Sequence, residues 1–163
     1  MDVGRKNTYI TGLENNLEIL GTFLRSIPEE ALTNNRGEGI WTIVEHLNHL
    51  VITQLMLFRR MQEFTRAENP VFEPFIPQEG ESGRPTVEKS AKELIEGFVR
   101  WREKMIELVE TCEDEVWLRV GSHPEYKEYS FDTLVRHTIF HDQFHMYRME
   151  EVWLLNEEYL KPL

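Results

Sequence analysis

Apolar residues recur every three or four positions along four stretches of the chain, and polar segments separate them. This spacing places them on one face of an α-helix and predicts four amphipathic helices. The first ends at Pro28, the second covers about residues 41–66, the third ends near Thr111, and the fourth covers about residues 131–155. The acidic run that follows Thr111 predicts a short helical turn from Asp114. Because no stretch alternates apolar and polar positions as a strand does, the pattern predicts an all-α four-helix bundle.

Polar residues mark the predicted helix starts and the longest connection. Thr42 and Glu45 have the spacing of a capping box, and Thr86 and Ser130 are expected to cap the third and fourth helices. Residues 68–85 contain four prolines and two glycines. This composition predicts a long crossover loop between the second and third helices.

Length and composition narrow the class of protein. The 163 residues are enough for one domain over residues 1–163, and the formal net charge of −11 opposes binding to nucleic acid or to an anionic membrane surface. No apolar run reaches the roughly 18 residues that a membrane span needs, and the first residues lack the apolar segment of a signal peptide. The single cysteine, Cys112, cannot form an internal disulfide. We therefore expect a soluble cytoplasmic protein.

Five of the six histidines fall in two short windows, at His46 and His49 in the second predicted helix and at His137, His141 and His145 in the fourth. Residues three or four apart share a helix face, so each window can present imidazoles to one point. Facing helices of a bundle build metal sites in this way, and three imidazoles can bind zinc, nickel or iron with a position left open for water or substrate. Spacing alone leaves all five as candidate ligands.

Other metal patterns fit the chain less well. The sequence has no H-E-x-x-H motif, and of the acid-x-x-His pairs that a di-iron site needs on two helices it has one, Asp142 with His145. Two further interpretations stay open beside an enzyme with an open three-histidine site. One is a non-catalytic bundle whose metal stabilises the fold or signals to a partner. The other is a buried polar network of histidines without metal.

Two segments of the chain resemble the DinB/YfiT-like superfamily of four-helix-bundle metalloenzymes. Residues 41–50, WTIVEHLNHL, are similar to the family's Trp-Ser/Thr opening of the second helix, in which the ligand follows the tryptophan by eight residues. Residues 137–145, HTIFHDQFH, are similar to the family's His-x-x-x-His motif on the last helix. The helix order and the long crossover extend the resemblance over the whole chain.

The resemblance implies a mononuclear site in which His49, His141 and His145 hold one divalent nickel, zinc or iron ion. It leaves His46 and His137 as packing residues or as groups that orient the ligands. Characterised relatives include low-molecular-weight-thiol S-transferases and a thiol-dependent maleylpyruvate isomerase, and homodimers are frequent among them. The resemblance thus implies a metal-dependent transferase that joins a thiol to an electrophilic small molecule, with a hydrolase as an alternative, and it implies no DNA binding.

Several residues near these motifs have two interpretations each. Arg148 follows His145 by three residues and could bind a substrate anion or pair with Glu150 or Glu151, and we favour the pairing. Glu45 could orient a ligand imidazole, although the capping box is favoured. Asp142 adjoins His141 but points away from it, so it is expected to be structural or solvated. The aromatic and thiol candidates are expected to be structural, namely Cys112, Trp41, Trp101, Trp117 and Trp153.

Overall fold

The computed structural model describes residues 3–76 and 84–162. The helices formed there are α1 (Val3–Ser26), α2 (Glu29–Leu32), α3 (Ile43–Arg66), α4 (Ala91–Thr111) and α5 (Phe131–Leu154). Four of them are long and match the four periodic stretches, which confirms the predicted all-α four-helix bundle. The short helix α2 is a single turn that follows Pro28.

The four long helices pack around one interior, and each contacts two of the others extensively. Helix α3 packs against α4 and α5, and α1 packs against the same two helices. Helices α1 and α3 therefore lie at opposite corners of the bundle, and α3 and α5 are neighbours. This arrangement brings together the two helices that carry the five clustered histidines.

The apolar core is divided into two clusters along the bundle axis. One cluster contains Leu13, Met105 and Ile139, and the other contains Leu20, Phe98 and Met146. On α1, α4 and α5, a short stretch of residues therefore lies between the two clusters. Polar side chains occupy that stretch.

Each long helix contributes one buried side chain to this polar layer, through Asn16, Gln54, Arg102 and Asp142. The Arg102 guanidinium donates from Nη2 to Asp142 Oδ2 at 2.5 Å and from Nε to Gln54 Oε1 at 3.1 Å. Asn16 Nδ2 donates to the same Asp142 oxygen at 3.1 Å. Buried charges are tolerated when they are paired and hydrogen-bonded, so this layer fixes the four helices at one height relative to one another.

Two of the three cap residues predicted from the sequence cap their helices in the structure. Thr42 and Glu45 form the predicted capping box of α3, and the Ser130 hydroxyl accepts from the backbone of Thr133 at the start of α5. The prediction of Thr86 as the cap of α4 is wrong, because Ser90 forms a capping box there with Glu93. The Thr86 carbonyl instead accepts a hydrogen bond from Asn48 Nδ2 at 3.1 Å, which holds the segment before α4 against α3.

A small hairpin corrects the prediction of a chain without strands. Strand β1 (Val120–Gly121) pairs antiparallel with β2 (Tyr129–Ser130), and Gly121 is opposite Tyr129. A side chain at Gly121 would come within 2.8 Å of the Phe72 ring and of the Pro70 carbonyl oxygen, so glycine permits this close approach. The turn predicted from Asp114 is found as a 3₁₀ turn over Val116–Leu118, one residue before β1.

The crossover between α3 and α4 follows the prediction where it is described. It leaves α3 after Arg66, and Phe72 packs into the core beside Phe64. The predicted loop over residues 68–85 is confirmed in these parts, and residues 77–83 lie outside the described residues.

Among the described helices, none combines the length and the apolar character that a membrane crossing requires.

We expect Arg102→Met to lower the free energy of unfolding by about 3–5 kcal/mol, because it leaves the Asp142 carboxylate buried without its cation. Urea unfolding of chelator-treated protein measures this loss. Arg5→Met is the matched control, since Arg5 pairs with Asp132 at 2.6 Å but is mostly exposed, and it should change stability little. Equal losses in the two variants would contradict the role assigned to the polar layer.

Candidate metal centre

The packing of α3 against α5 brings His49, His141 and His145 together. One ring nitrogen of each lies within 4.8 Å of the others. His141 and His145 are one turn apart on α5, and His49 faces them from α3, with 3.2 Å between His49 Nε2 and His141 Nε2. The structure thus assembles the three residues that the resemblance singled out, and their role as ligands stays a prediction.

The separation between one nitrogen of His49 and one of His141 suits a single small cation. Two nitrogens bound to one tetrahedral zinc at about 2.0–2.1 Å are separated by about 3.4 Å. The distance of 3.2 Å between His49 and His141 is close to this value. The donor set also fits, because imidazole nitrogens bind zinc, nickel and iron.

Burial keeps these imidazoles uncharged, as metal binding requires. Burial lowers the pKa of His49 to about 4, that of His141 to about 3 and that of His145 to about 2. Neighbouring histidines add to the effect on His141 and His145, since a second positive charge so close would repel the first. At neutral pH all three therefore offer lone pairs.

His46 contacts His145, one of the three clustered histidines. Its Nδ1 lies 2.9 Å from Nδ1 of His145, so one of these two nitrogens must carry the proton. When His145 carries it, His145 Nε2 is left with a lone pair for a cation, and His46 holds the ring in that orientation. Burial lowers the pKa of His46 to about 3, so it too is neutral. His46 therefore fits the role of orienting a ligand.

His137 lies outside the group of three. Its Nδ1 is 3.4 Å from the Tyr126 hydroxyl, and its ring is 5.7 Å from that of His141, measured between centroids. Tyr126 belongs to the loop of the β1–β2 hairpin. His137 thus connects the histidine cluster to this hairpin.

A cavity of about 180 Å³ opens beside His49 and His141. Its wall is formed by α3, α5, the crossover and the hairpin loop. This volume is below the roughly 300–1,000 Å³ of pockets that enclose drug-sized ligands, so it suits a small molecule or one end of a larger one. The lining residues are His49, Thr53, Met56, Leu57, Arg60, Phe75, His123, Glu125, Tyr126, His137 and His141.

Sequence reasoning did not assign Arg60, His123 or Tyr126 to the site. A signal existed for Arg60, because it follows His49 by eleven residues and so returns to the same face of α3 after three turns. No local signal existed for His123 and Tyr126, since the hairpin brings them to α5 through tertiary packing.

Trp41, which the sequence predicts to be a core aromatic, packs against the histidine cluster. Its ring lies 5.2 Å from that of His46, 5.4 Å from that of His49 and 6.1 Å from that of His145, between centroids. This half-buried ring therefore shields the cluster from water on the side of the α3 N-terminus.

The charged candidates near the motifs have other partners. Arg148 Nη1 pairs with Glu151 Oε2 at 2.6 Å, and its Nη2 donates to the Lys161 carbonyl. The Glu45 carboxylate caps α3 and pairs with Arg84 at 2.7 Å. The half-buried Cys112 lies at the end of α4, where burial raises the pKa of its thiol, which makes it a weak nucleophile.

We expect the free energy of unfolding of metal-free protein to fall as the pH falls below about 6.5. Histidines of the unfolded chain take up protons near that pH, whereas His46 and His145 stay neutral in the folded chain until far lower pH. Protons therefore favour the unfolded state, and each buried histidine contributes up to about 1.4 kcal/mol per pH unit. Urea unfolding between about pH 7.5 and 5.5 measures the slope, and His46→Gln should flatten it. The same slope in both proteins would contradict this prediction.

Comparisons with known proteins agree on the family. The family model described as the DinB superfamily matches residues 13–149. A similar solved structure is described as YfiT from Bacillus subtilis, a probable metal-dependent hydrolase with an unusual four-helix bundle topology. It is 16% identical, has a TM-score of 0.78, and the similarity covers 93% of this chain and 87% of that one, which shows a shared fold. A comparison with curated proteins finds no match. Because the family model spans most of the chain, this protein belongs to the DinB superfamily.

Proposed function

We propose that this protein is a metal-dependent enzyme that binds one divalent cation through His49, His141 and His145. The observation that carries the proposal is the convergence of three neutral imidazoles within 4.8 Å beside a small cavity. A nickel, zinc or iron ion held there would lower the pKa of a thiol or water bound at its open position.

The nucleophile we propose is a low-molecular-weight thiol, and its partner is an electrophilic small molecule. The cavity wall suits such a reaction, because Met56, Leu57 and Phe75 supply apolar contacts beside the histidines. His137 faces the same cavity, and burial lowers its pKa, so it is a neutral base that can accept the proton of the thiol. The resemblance to a superfamily whose characterised relatives include thiol S-transferases supports this choice.

Hydrolysis is the second candidate. The structural neighbour from Bacillus subtilis is described as a probable metal-dependent hydrolase, and the same fold and histidine cluster could activate water. The two candidates share the metal site and differ in the nucleophile that enters the cavity.

The wider context of the proposal is a single-domain cytoplasmic homodimer. A homodimer is supported by apolar residues exposed along one face of α5, which are Phe140, Phe144, Tyr147 and Leu154. A reducing compartment is supported by the single cysteine, which cannot form an internal disulfide. The net charge of −11 supports small molecules rather than nucleic acid as partners.

We expect untagged protein to hold about one divalent metal ion per chain, as a site with three histidine ligands does. Elemental mass spectrometry should find this metal lost in His49→Ala, His141→Ala and His145→Ala, because each removes one ligand. His137→Ala is the matched control, since His137 lines the cavity but lies outside the group of three, and it should keep the metal.

Thermal unfolding gives an independent test of the same site. Nickel or zinc at about 100 times its Kd should stabilise chelator-treated wild type by about 2.7 kcal/mol and leave the three ligand variants unchanged. Wild type that holds no metal and takes up neither ion would overturn the proposed function.

We expect metal-loaded protein to consume a thiol in the presence of a model electrophile such as 1-chloro-2,4-dinitrobenzene, with saturation in both reactants. Thiol loss measured with glutathione, cysteine and bacillithiol, in parallel with hydrolysis of p-nitrophenyl acetate, distinguishes the two candidates. The His145→Ala variant is the blank for each assay. Metal-dependent ester hydrolysis without thiol consumption would favour the hydrolase.

A further inference from the structure

Arg60 is the cationic side chain in the wall of the cavity that opens beside His49 and His141. It lies three turns after His49 on α3, so about 16 Å of helix separate the two Cα atoms. Helical side chains tilt towards the N-terminus of their helix, which directs the arginine back towards the histidines. One small cavity thus connects the candidate metal ligands with a guanidinium.

The position of this guanidinium is fixed by neutral groups. Nη2 donates to the Glu73 carbonyl at 2.6 Å, and Nη1 donates to the Tyr129 hydroxyl at 3.2 Å. The Arg60 Cζ also lies 5.7 Å from the centroid of the Phe72 ring and 5.8 Å from that of Tyr129. These contacts hold the side chain without neutralising its charge.

The positive charge of Arg60 is therefore available to a ligand. In residues 3–76 and 84–162, no carboxylate lies within ion-pair distance of it, whereas Arg84, Arg102 and Arg148 each pair with an acidic residue. Two of the five guanidinium donors of Arg60 have the partners described above, so donors remain for a ligand. The charge reaches the cavity, since burial and then Arg60 lower the pKa of both His123 and His137. The carboxylates of Glu125, which also lines the cavity, and Glu73 oppose this effect on His123, and Arg60 outweighs each of them.

We propose that Arg60 binds a carboxylate of the substrate at the end of the cavity away from the histidine cluster. A guanidinium matches the planar, two-oxygen geometry of a carboxylate. A chain with a net charge of −11 repels anions, so a carboxylate-bearing substrate needs a local cation to enter. The location of the reacting atoms rests on the proposed function, whereas carboxylate binding by Arg60 does not. The carboxylate belongs either to the thiol or to its co-substrate.

Calorimetric titrations with 3-mercaptopropionate and with its methyl ester test the proposal on nickel-loaded protein. Wild type should bind the acid about tenfold more tightly than the ester, as a charge-assisted hydrogen bond implies. This preference should disappear in Arg60→Gln. Arg59→Gln is the matched control, because Arg59 is the adjacent residue on α3 and is exposed, and it should keep the preference.

A second titration uses propionate and chelator-treated protein, with sodium chloride at equal ionic strength as the blank, and so needs no metal. If both thiols bind equally but propionate binding requires Arg60, the carboxylate belongs to the co-substrate, and the proposal holds. If the protein binds neither metal nor thiol, the proposed function fails, and the propionate titration still decides the role of Arg60. Absence of any Arg60-dependent carboxylate preference in both titrations overturns the proposal.

Two further variants separate binding from a structural role. Tyr129→Phe removes a neutral contact of Arg60 and keeps its charge, and Arg60→Lys also keeps a positive charge at this position. Both should retain part or all of the carboxylate preference. If Tyr129→Phe and Arg60→Lys both lose the preference as completely as Arg60→Gln, the positive charge at this position does not bind the carboxylate, and the proposal is wrong.

Discussion

The ion pair between Arg102 and Asp142, in the middle of the bundle, determines where the candidate metal centre lies. Asp142 follows His141 directly and precedes His145 by three residues, so its bond to Arg102 fixes how α5 is rotated. Burial raises the pKa of Asp142, and the Arg102 guanidinium and the Asn16 amide oppose that shift. A carboxylate buried at this depth has to keep these partners, and α5 cannot turn without breaking them. The two histidines that flank it therefore face α3.

The same packing keeps the imidazoles uncharged. His46, His49, His141 and His145 are at or near the contact of α3 with α5, and Trp41 covers them at one end. Protonating His46, His141 or His145 would bury a charge beside other histidines and near the positive charge of Arg102 or Arg148. For His49, burial alone opposes the charge. Each ring thus keeps one nitrogen with a lone pair that a cation can bind. His46 Nε2 and His141 Nδ1, the nitrogens on the far side of two of these rings, are buried without a hydrogen-bond partner among the described residues.

Much of the fold could be predicted from the sequence because its signals are local. Periodic apolar residues predicted the four long helices, and the Thr42–Glu45 spacing predicted the start of α3. The cap of α4 was misplaced because Thr86 and Ser90 are both suitable residues, and the choice depends on Asn48 of another helix. The hairpin was missed because strands of two residues are too short to show alternation.

The candidate site, like the fold, could be predicted from the sequence only where the signal is local. The pair His141 and His145 follows from spacing on one helix, whereas the choice of His49 over His46 came from family resemblance. Both residues lie near α5 in the structure, but His46 contacts His145 through Nδ1, and His49 faces His141 through Nε2. Which nitrogen points to the common centre depends on the rotation of α3 against α5. That rotation results from the packing of all four helices, and no local sequence pattern predicts it.

Two arginines illustrate why the position of a charge on a helix does not determine its function. Arg148 lies within one turn of His145 and could bind an anion by its position, but it pairs with Glu151, the alternative that the sequence favoured. Arg60 is far along the chain from the histidines of α5. Its partners are a carbonyl, a hydroxyl and two aromatic rings, which leave its charge uncompensated. A cation attracts a substrate anion to the extent that its charge is uncompensated and its surroundings exclude water. Proximity in sequence to the candidate metal ligands would favour Arg148, whereas the absence of an acidic partner among the described residues favours Arg60.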